Sequence, residues 1–368
     1  MKITQISIYQ SPLQLKQPFI ISLGTLTIAE NVIVKISIDT GLVGYGECSP
    51  FKTINGESMQ TGFIVAEYLA NTLLGQNPLD IAHCSQLMDS VIYANNSIKS
   101  AFDIALYDIA AQNSQKPLYA FLGGKKNKIL VTDYTISMAN PDKMATDAIK
   151  IIENGFQIIK VKLGQSLDLD VERMRAIRKA VGTKVPIRID ANQGWHPNEA
   201  LEILRALSQF KIQHCEEPIA RHHFMDLPIL KKHSPIPIMA DESCCDHHDA
   251  QRLINLDACD LLNIKLGKSG GLFKALKIMT LADDINMGLQ IGGFLESRLA
   301  FTASAHLALV SQHNILCDFD SPLMLQSDPI IGGITYSKTG EVTVPDTPGL
   351  GAKVNESYLE GLIKSIIK

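Results

Sequence analysis

What this sequence lacks narrows its function early. No uninterrupted apolar stretch reaches the roughly 18 residues that a membrane-spanning helix needs, so a protein of that kind is excluded. Met1-Lys2-Ile3-Thr4-Gln5 alternates like a strand and offers no apolar signal core. The 7 cysteines are odd in number and include no Cys-x-x-Cys pair, and most lie in apolar contexts (Cys215, Cys259, Cys317), as expected in a reducing compartment. A cytoplasmic protein is therefore expected. Charge of one sign is nowhere concentrated: 34 Lys and Arg stand against 38 Asp and Glu, a formal net charge of -4, with no footprint for nucleic acid or an acidic membrane. Phosphate loops are missing too. Lys268-Ser269-Gly270-Gly271 has no upstream glycine, and Gly41-x-x-Gly44-x-Gly46 sits in a hairpin rather than opening a helix. The adjacent pairs His222-His223 and His247-His248 cannot both reach one ion from a regular element, and no cysteines are spaced to complete a zinc site. Small-molecule chemistry is what remains.

With 368 residues, 46% apolar and 20% charged, the chain has material for a large core and exceeds one typical domain. Two alternating segments, Ile3 to Tyr9 and Val32 to Ile38, with Asp39-Thr40-Gly41 leading into Val43-Gly44-Tyr45-Gly46-Glu47, predict an antiparallel meander. Residues 58–122 switch to helical spacing, clearest at Ala101-Phe102, Ala105-Leu106 and Ile109-Ala110. Gly123-Gly124 and the lysines after it mark a break, beyond which strand and helix patterns alternate to about residue 325. A last segment, Glu341 to Val344 followed by Pro345 to Gly351, returns to strand and turn chemistry and is expected to fold back onto the N-terminal region. The organisation predicted is an α+β domain over 1–122, a barrel over 123–325 and a returning tail over 326–368.

The alternating region carries a ladder. Thr135, Lys162, Asp190, Glu216, Asp241, Lys265, the Gly292-Gly293 turn and Asp318 recur at intervals of 24 to 28 residues, each polar residue closing a short apolar or β-branched run. A strand, loop and helix fill about that length, so each marks the end of a barrel strand, and the strand ends of a β/α barrel converge on one mouth. Lys160 and Lys162, two apart, share a face, and their mutual repulsion together with burial is expected to bring at least one amine toward neutrality, fit for a general base. Asp190, Glu216 and Asp241 end three consecutive strands. Three carboxylates so close repel unless a hard divalent ion such as Mg²⁺ joins them. Lys162 on the second strand and Lys265 on the sixth lie opposite in a ring of eight, which suits taking a proton from one face of a carbon and returning it to the other. The acidity of a proton next to a carboxylate is so low that the resulting enolate needs electrostatic support, from the metal and a cationic Lys160.

These residues resemble a known family. Ala101 to Asp108, Lys160-Val161-Lys162, Asp190-Ala191-Asn192, Glu216-Glu217-Pro218, Asp241-Glu242-Ser243, Asn263-Ile264-Lys265-Leu266 with Ser269-Gly270-Gly271, and Leu295-Glu296-Ser297 are together similar to the muconate lactonizing subgroup of the enolase superfamily, over almost the whole length. The resemblance implies an α/β fold, a (β/α)₇β modified TIM barrel under an α+β capping domain built from the N-terminal region and the C-terminal tail. It implies one Mg²⁺ per subunit on Asp190, Glu216 and Asp241, Lys162 and Lys265 as acid and base, Lys160 supporting the substrate carboxylate, and a homo-oligomer. Racemases or epimerases, cycloisomerases and o-succinylbenzoate synthases share this core.

Asp318-Phe319-Asp320 separates them. Two acids two apart on the last strand form an anionic clamp suited to an ammonium group, and the motif resembles that of dipeptide epimerases. The expected substrate is an L-Ala-L-Xaa dipeptide, its carboxylate toward Mg²⁺ and Lys160, its ammonium toward Asp318 and Asp320, with Thr135, Gly293, Phe294 and Glu296 in contact between. The alternatives are a lyase of the o-succinylbenzoate synthase or muconate cycloisomerase kind and an N-acylamino acid racemase. The second residue is expected to be chosen by two loops, Phe19 to Thr27 and Phe51 to Glu57. L-Ala-L-Glu is one candidate, but the first loop holds no arginine, which leaves Arg298 as the cation that could meet a glutamate side chain.

Overall fold

The computed structural model describes residues 1–368. Three strands open the chain, β1 (Ile3–Ile21), β2 (Gly24–Ile38) and β3 (Val43–Cys48), followed by α1 (Met59–Leu73), α2 (Ile81–Val91), α3 (Asn96–Asn113) and α4 (Leu118–Phe121). After β4 (Leu130–Val131) come eight strands: β5 (Tyr134–Ile136), β6 (Ile159–Lys162), β7 (Ile187–Asp190), β8 (Ile212–Glu216), β9 (Ile238–Ala240), β10 (Leu261–Lys265), β11 (Gly288–Gly292) and β12 (Ile315–Cys317). Between them run α5 (Pro141–Glu153), α6 (Leu167–Val181), α7 (Pro197–Leu207), α8 (Leu227–His233), α9 (His247–Asn255), α10 (Leu266–Ser269), α11 (Leu272–Asp284) and α12 (Arg298–Ala308). The tail carries α13 (Ser321–Met324), β13 (Ile330–Gly332), β14 (Thr335–Tyr336), β15 (Glu341–Thr343), β16 (Ala352–Val354), α14 (Glu356–Glu360) and β17 (Lys364–Ile367).

Strands β5 to β12 pair in sequence order and in parallel. The two edges of that sheet meet: Thr132, just before β5, bridges Cys317 of β12 in parallel, and the Phe319 N–H donates to Thr132 Oγ1 at 2.7 Å. The sheet is thus a barrel with a helical jacket. Period-2 geometry explains its wall. On β7, Ile187 and Ile189 face one way, while Arg188 and Asp190 face the interior, where Arg188 reaches Asp133 and the Cys317 carbonyl across the seam. The helices start where the chemistry directs. Asn140 accepts from the Lys143 N–H with Pro141 next to it, and Asp246 accepts from the His248 and Asp249 N–H groups.

The α+β layer is fixed to the barrel by buried carboxylates on helix N-termini, whose free N–H groups and positive dipole end favour an anion. Glu47 of β3 accepts from the Ser297 N–H and Oγ and from the Ala300 N–H at the start of α12. Asp103 of α3 accepts from the Leu272 and Phe273 N–H groups at the start of α11. Helix α3 lies directly on β3 because Gly44 and Gly46 carry no side chain; a Cβ there would run into the carbonyls of Ala105 and Ala101.

Two expectations change. The segment Phe19 to Thr27 is the tip of a β1–β2 hairpin rather than a loop, with Ile21 paired to Gly24. The pairing breaks between Gln14 and Phe19, where Leu15 bridges Leu325 and Lys16 Nζ donates to the Leu323 carbonyl at 2.7 Å, and this irregularity leans the hairpin over the barrel mouth. Glu341 to Val344 pairs through β15 with β14 and β4, not with the N-terminal sheet; alternation marks a strand but does not name its partner. The return is made by β17, antiparallel to β1, and by the Gly349 carbonyl, which accepts from the Leu118 N–H at 2.8 Å. No helix is long and apolar enough to cross a membrane.

Candidate active site

Lys162, Asp190, Glu216 and Lys265 end strands β6, β7, β8 and β10, and Gly292 ends β11. Asp241 and Asp318 lie one residue beyond β9 and β12, and Thr135 is the penultimate residue of β5. All therefore surround one mouth. A cavity there is walled by Thr135, Lys162, Lys265, Gly293, Phe294, Asp318 and Asp320, together with Asn192. Its roof is apolar: Phe19 and Ile21 come from the hairpin, Phe51 and Ile54 from the β3–α1 connection, and Met324 from α13. Past Phe51 and Leu295 the cavity adjoins a cleft of about 290 Å³ under the hairpin tip.

The lysines and acids interlock. Lys162 Nζ lies 2.6 Å from Asp190 Oδ2, and Lys265 Nζ lies 2.7 Å from Asp241 Oδ2 and 3.9 Å from Glu216 Oε1. Lys160 lies below the cavity, 2.7 Å from Glu216 Oε2, 2.8 Å from Asp318 Oδ2 and 3.3 Å from Asp190 Oδ2. The expected fall of a lysine toward neutrality is reversed at Lys160: burial opposes its charge, but Asp318, Glu216 and Asp190 outweigh it and raise its pKa. Lys265 is likewise raised, burial being overcome by Asp241 and Glu216. On the acid side burial works against ionisation, yet Lys162 and Lys160 hold Asp190 below its ordinary value, and Lys265 and Lys268 do the same for Asp241. Asp318, buried but beside Lys160, is lowered to about 2, while Asp320, buried and next to Asp318, is raised to about 7.

The donor set fits a hard divalent cation. Asp190, Glu216 and Asp241 offer oxygen alone, and two ammonium groups already span them, Lys160 between Asp190 and Glu216 and Lys265 between Glu216 and Asp241. Glu216 is aimed from beneath by Asn263 Nδ2 at 2.8 Å and Gln290 Nε2 at 3.1 Å. A second trio, Asp133, Asp318 and Asp320, has carboxylate oxygens within 4.8 Å of one another; Arg188 and Lys160 already contact it.

Several residues stand elsewhere than the sequence suggested, or were not foreseen. Glu296 lies behind the wall, where Oε2 accepts from the Phe294 N–H, so it braces the Gly293-Phe294 turn from outside the cavity. Arg298 is turned away, held by Asp328 and the carbonyls of Ile330, Gly332 and Ile334, and no longer offers a cation for the substrate. Lys268, buried, donates to Asp241. Of a whole interior layer, Asp133, Lys160, Arg188, His214, Asn263 and Gln290, each two residues before a rung, only Lys160 was read from the sequence as part of the site. Buried barrel layers are usually branched and apolar, and polar residues at that offset were the readable sign. Burial with Arg188 and Lys160 nearby lowers His214 to about 3, so it is neutral.

Comparison with known proteins identifies the family. Residues 3–123 match the family described as mandelate racemase / muconate lactonizing enzyme, N-terminal domain, and residues 143–358 match enolase C-terminal domain-like. A D-Ala-D/L-Ala epimerase of Cytophaga hutchinsonii is 57% identical, with 100% of each chain covered. A hydrophobic dipeptide epimerase of Enterococcus faecalis is 36% identical over 95% of this chain and 99% of its own. A crystal structure of a dipeptide epimerase from Cytophaga hutchinsonii, complexed with Mg and the dipeptide D-Ala-L-Val, superposes with a TM-score of 0.98 at 56% identity over 100% of both chains. The chain belongs to the enolase superfamily, in its mandelate racemase and muconate lactonizing enzyme group.

Proposed function

We propose that this chain is a Mg²⁺-dependent dipeptide epimerase, an isomerase that inverts the α-carbon of the C-terminal residue. The observation that carries this reading is a single cavity holding two lysines from strands four apart and, beside them, Asp318 and Asp320. The names of the relatives support it.

Asp190, Glu216 and Asp241 would hold the ion. Bound there, Mg²⁺ stabilises the negative charge that builds on the substrate carboxylate as the α-proton leaves. Lys160, kept cationic by its acids, adds positive charge from below. Lys162 and Lys265 face the α-carbon from opposite sides; the neutral one takes the proton and the cationic one returns one, which inverts the centre, and Lys265 could be the neutral partner once Asp241 and Glu216, the acids that raise it, were engaged by the ion they would hold. Phe19 and Phe294 cover these amines, with ring centroids 5.8 Å from Lys162 Nζ and 5.1 Å from Lys265 Nζ, and shield them from water. Asp318 and Asp320 receive the ammonium, aided by Thr135, whose N–H holds Asp320 Oδ2 at 2.6 Å.

The cavity lining offers no cation besides the two lysines, Lys52 in the adjoining cleft is paired with Glu30 at 3.0 Å, and Arg298 is committed elsewhere. A glutamate side chain on the second residue would be buried unpaired, at a cost of several kcal/mol. Small or apolar second residues are favoured. The test is to incubate a library of L-Ala-L-Xaa dipeptides in D₂O and read α-deuterium by mass spectrometry. Exchange is expected at the second residue, with its epimer formed. Exchange confined to N-acylamino acids would instead select the racemase alternative, and conversion of a cyclohexadiene or muconate acid the lyase one.

A further inference from the structure

Asp133 is fully buried one layer beneath the cavity, on the residue that precedes β5. Its Oδ2 accepts from Arg188 Nη1 at 2.7 Å, while its Oδ1 is buried with no partner at all. Buried carboxylate oxygens are very rarely left in that state. One oxygen each of Asp133, Asp318 and Asp320 lies within 4.8 Å of the other two. The cations in contact with this trio are Arg188, on Asp133, and Lys160, on Asp318. Lys160 is also shared with Glu216 and Asp190, so three ionised carboxylates against at most these two cations leave at least one negative charge over. A single monovalent cation at the cavity end of the trio would balance it.

We propose that Asp133, locked by Arg188, is a positioning residue of the ammonium clamp: it supplies the third negative charge beneath Asp318 and Asp320, so that the site binds a free amino terminus in preference to an acylated one. This rests on the dipeptide reading above. Asp133 does not touch the substrate. It acts through the field it adds at short range in a dry interior, where charge interactions are many times stronger than in water, and through Arg188, which fixes its orientation. Burial first, and then Asp318, push both Asp133 and Asp320 above the ordinary carboxylate range, the sign of the same imbalance: the empty trio is short of a cation and holds on to a proton that an incoming ammonium would displace.

The test compares full-length wild type with Asp133→Asn and Asp133→Glu, all Mg²⁺-loaded. Steady-state kinetics are run on L-Ala-L-Ala and on N-acetyl-L-Ala-L-Ala. For Asp133→Asn the inference expects KM for the free-amine dipeptide to rise tenfold or more with kcat within threefold, the N-acetyl substrate to be little changed, and the ratio of the two kcat/KM values to collapse accordingly. Asp133→Glu should recover part of the ratio. Isosteric Asp133→Asn leaving the ratio unchanged overturns the inference, because a proton rather than charge would then occupy that site. An equal loss on both substrates, or a loss in kcat alone, overturns it too, as a purely structural role. Wild type that turns over neither dipeptide nor its library relatives overturns the functional reading and this inference together, whereas active wild type with an unaltered variant sinks the inference only.

Discussion

The lysines of this site sit among acids that outnumber them, and that determines their behaviour. Repulsion between Lys160 and Lys162 was read from their spacing, but carboxylates on neighbouring strands lie 2.6 to 3.3 Å from these amines and decide the charge of Lys160, and no local pattern reveals that balance. The ladder was legible because each rung is a polar residue closing an apolar run. The layer below was legible only through an offset of two, and its partners only in three dimensions. With Asp320 raised to about 7, the clamp loses a charge as pH falls through that value, so kcat/KM should drop about tenfold per pH unit below 7. Asp320→Asn should abolish that limb and lower the plateau by about tenfold or more. Asn263→Ala removes a hydrogen bond that aims Glu216, and titration calorimetry should show Mg²⁺ binding weakened by about 10- to 100-fold, as is typical when support behind a metal ligand is lost.

At the scale of elements, the pattern of strands and helices followed from periodicity, and the parts that did not follow have a common cause. The hairpin tip looked like a loop because its alternation fails from Leu15 to Pro18, where the strand leaves its partner to meet residues near α13. The closing strand β17 is four residues long and has no turn that names β1 as its neighbour. The clasps between layers were equally hidden, since Asp103 looks like one more polar position on an exposed helix face until α11 is seen to start above it. Asp103→Ala leaves the buried Leu272 N–H without an acceptor and should lower unfolding stability by about 1–3 kcal/mol, visible as a shift in the denaturant midpoint. Gly46→Ala would drive a methyl group into the Ala101 carbonyl and should destabilise by about 1–3 kcal/mol through overpacking.

For the molecule as a whole, the barrel carries the lysines and acids, and the α+β layer roofs the cavity they line. The hairpin is pinned to three separate barrel loops, by Ser137 Oγ to the Ile20 N–H at 2.7 Å, by Ser22 Oγ to the Asn192 carbonyl at 2.6 Å, and by Lys16 to the Leu323 carbonyl. The apolar roof is thereby fixed over the cavity. L-Ala-L-Val should accordingly be turned over with a kcat/KM at least about tenfold above that of L-Ala-L-Glu, a difference of about 1.4 kcal/mol in transition-state binding.

If Lys162 and Lys265 serve opposite faces of one α-carbon, as proposed, proton exchange separates their roles directly. Each lysine is replaced by alanine in turn, and α-proton exchange into D₂O is followed by nuclear magnetic resonance on both epimers of an accepted dipeptide. Neither variant is expected to epimerise; one should still exchange the α-proton of only one epimer, and the other variant only that of the opposite epimer. Exchange of both epimers by either variant, or epimerisation surviving the loss of either lysine, would contradict these roles.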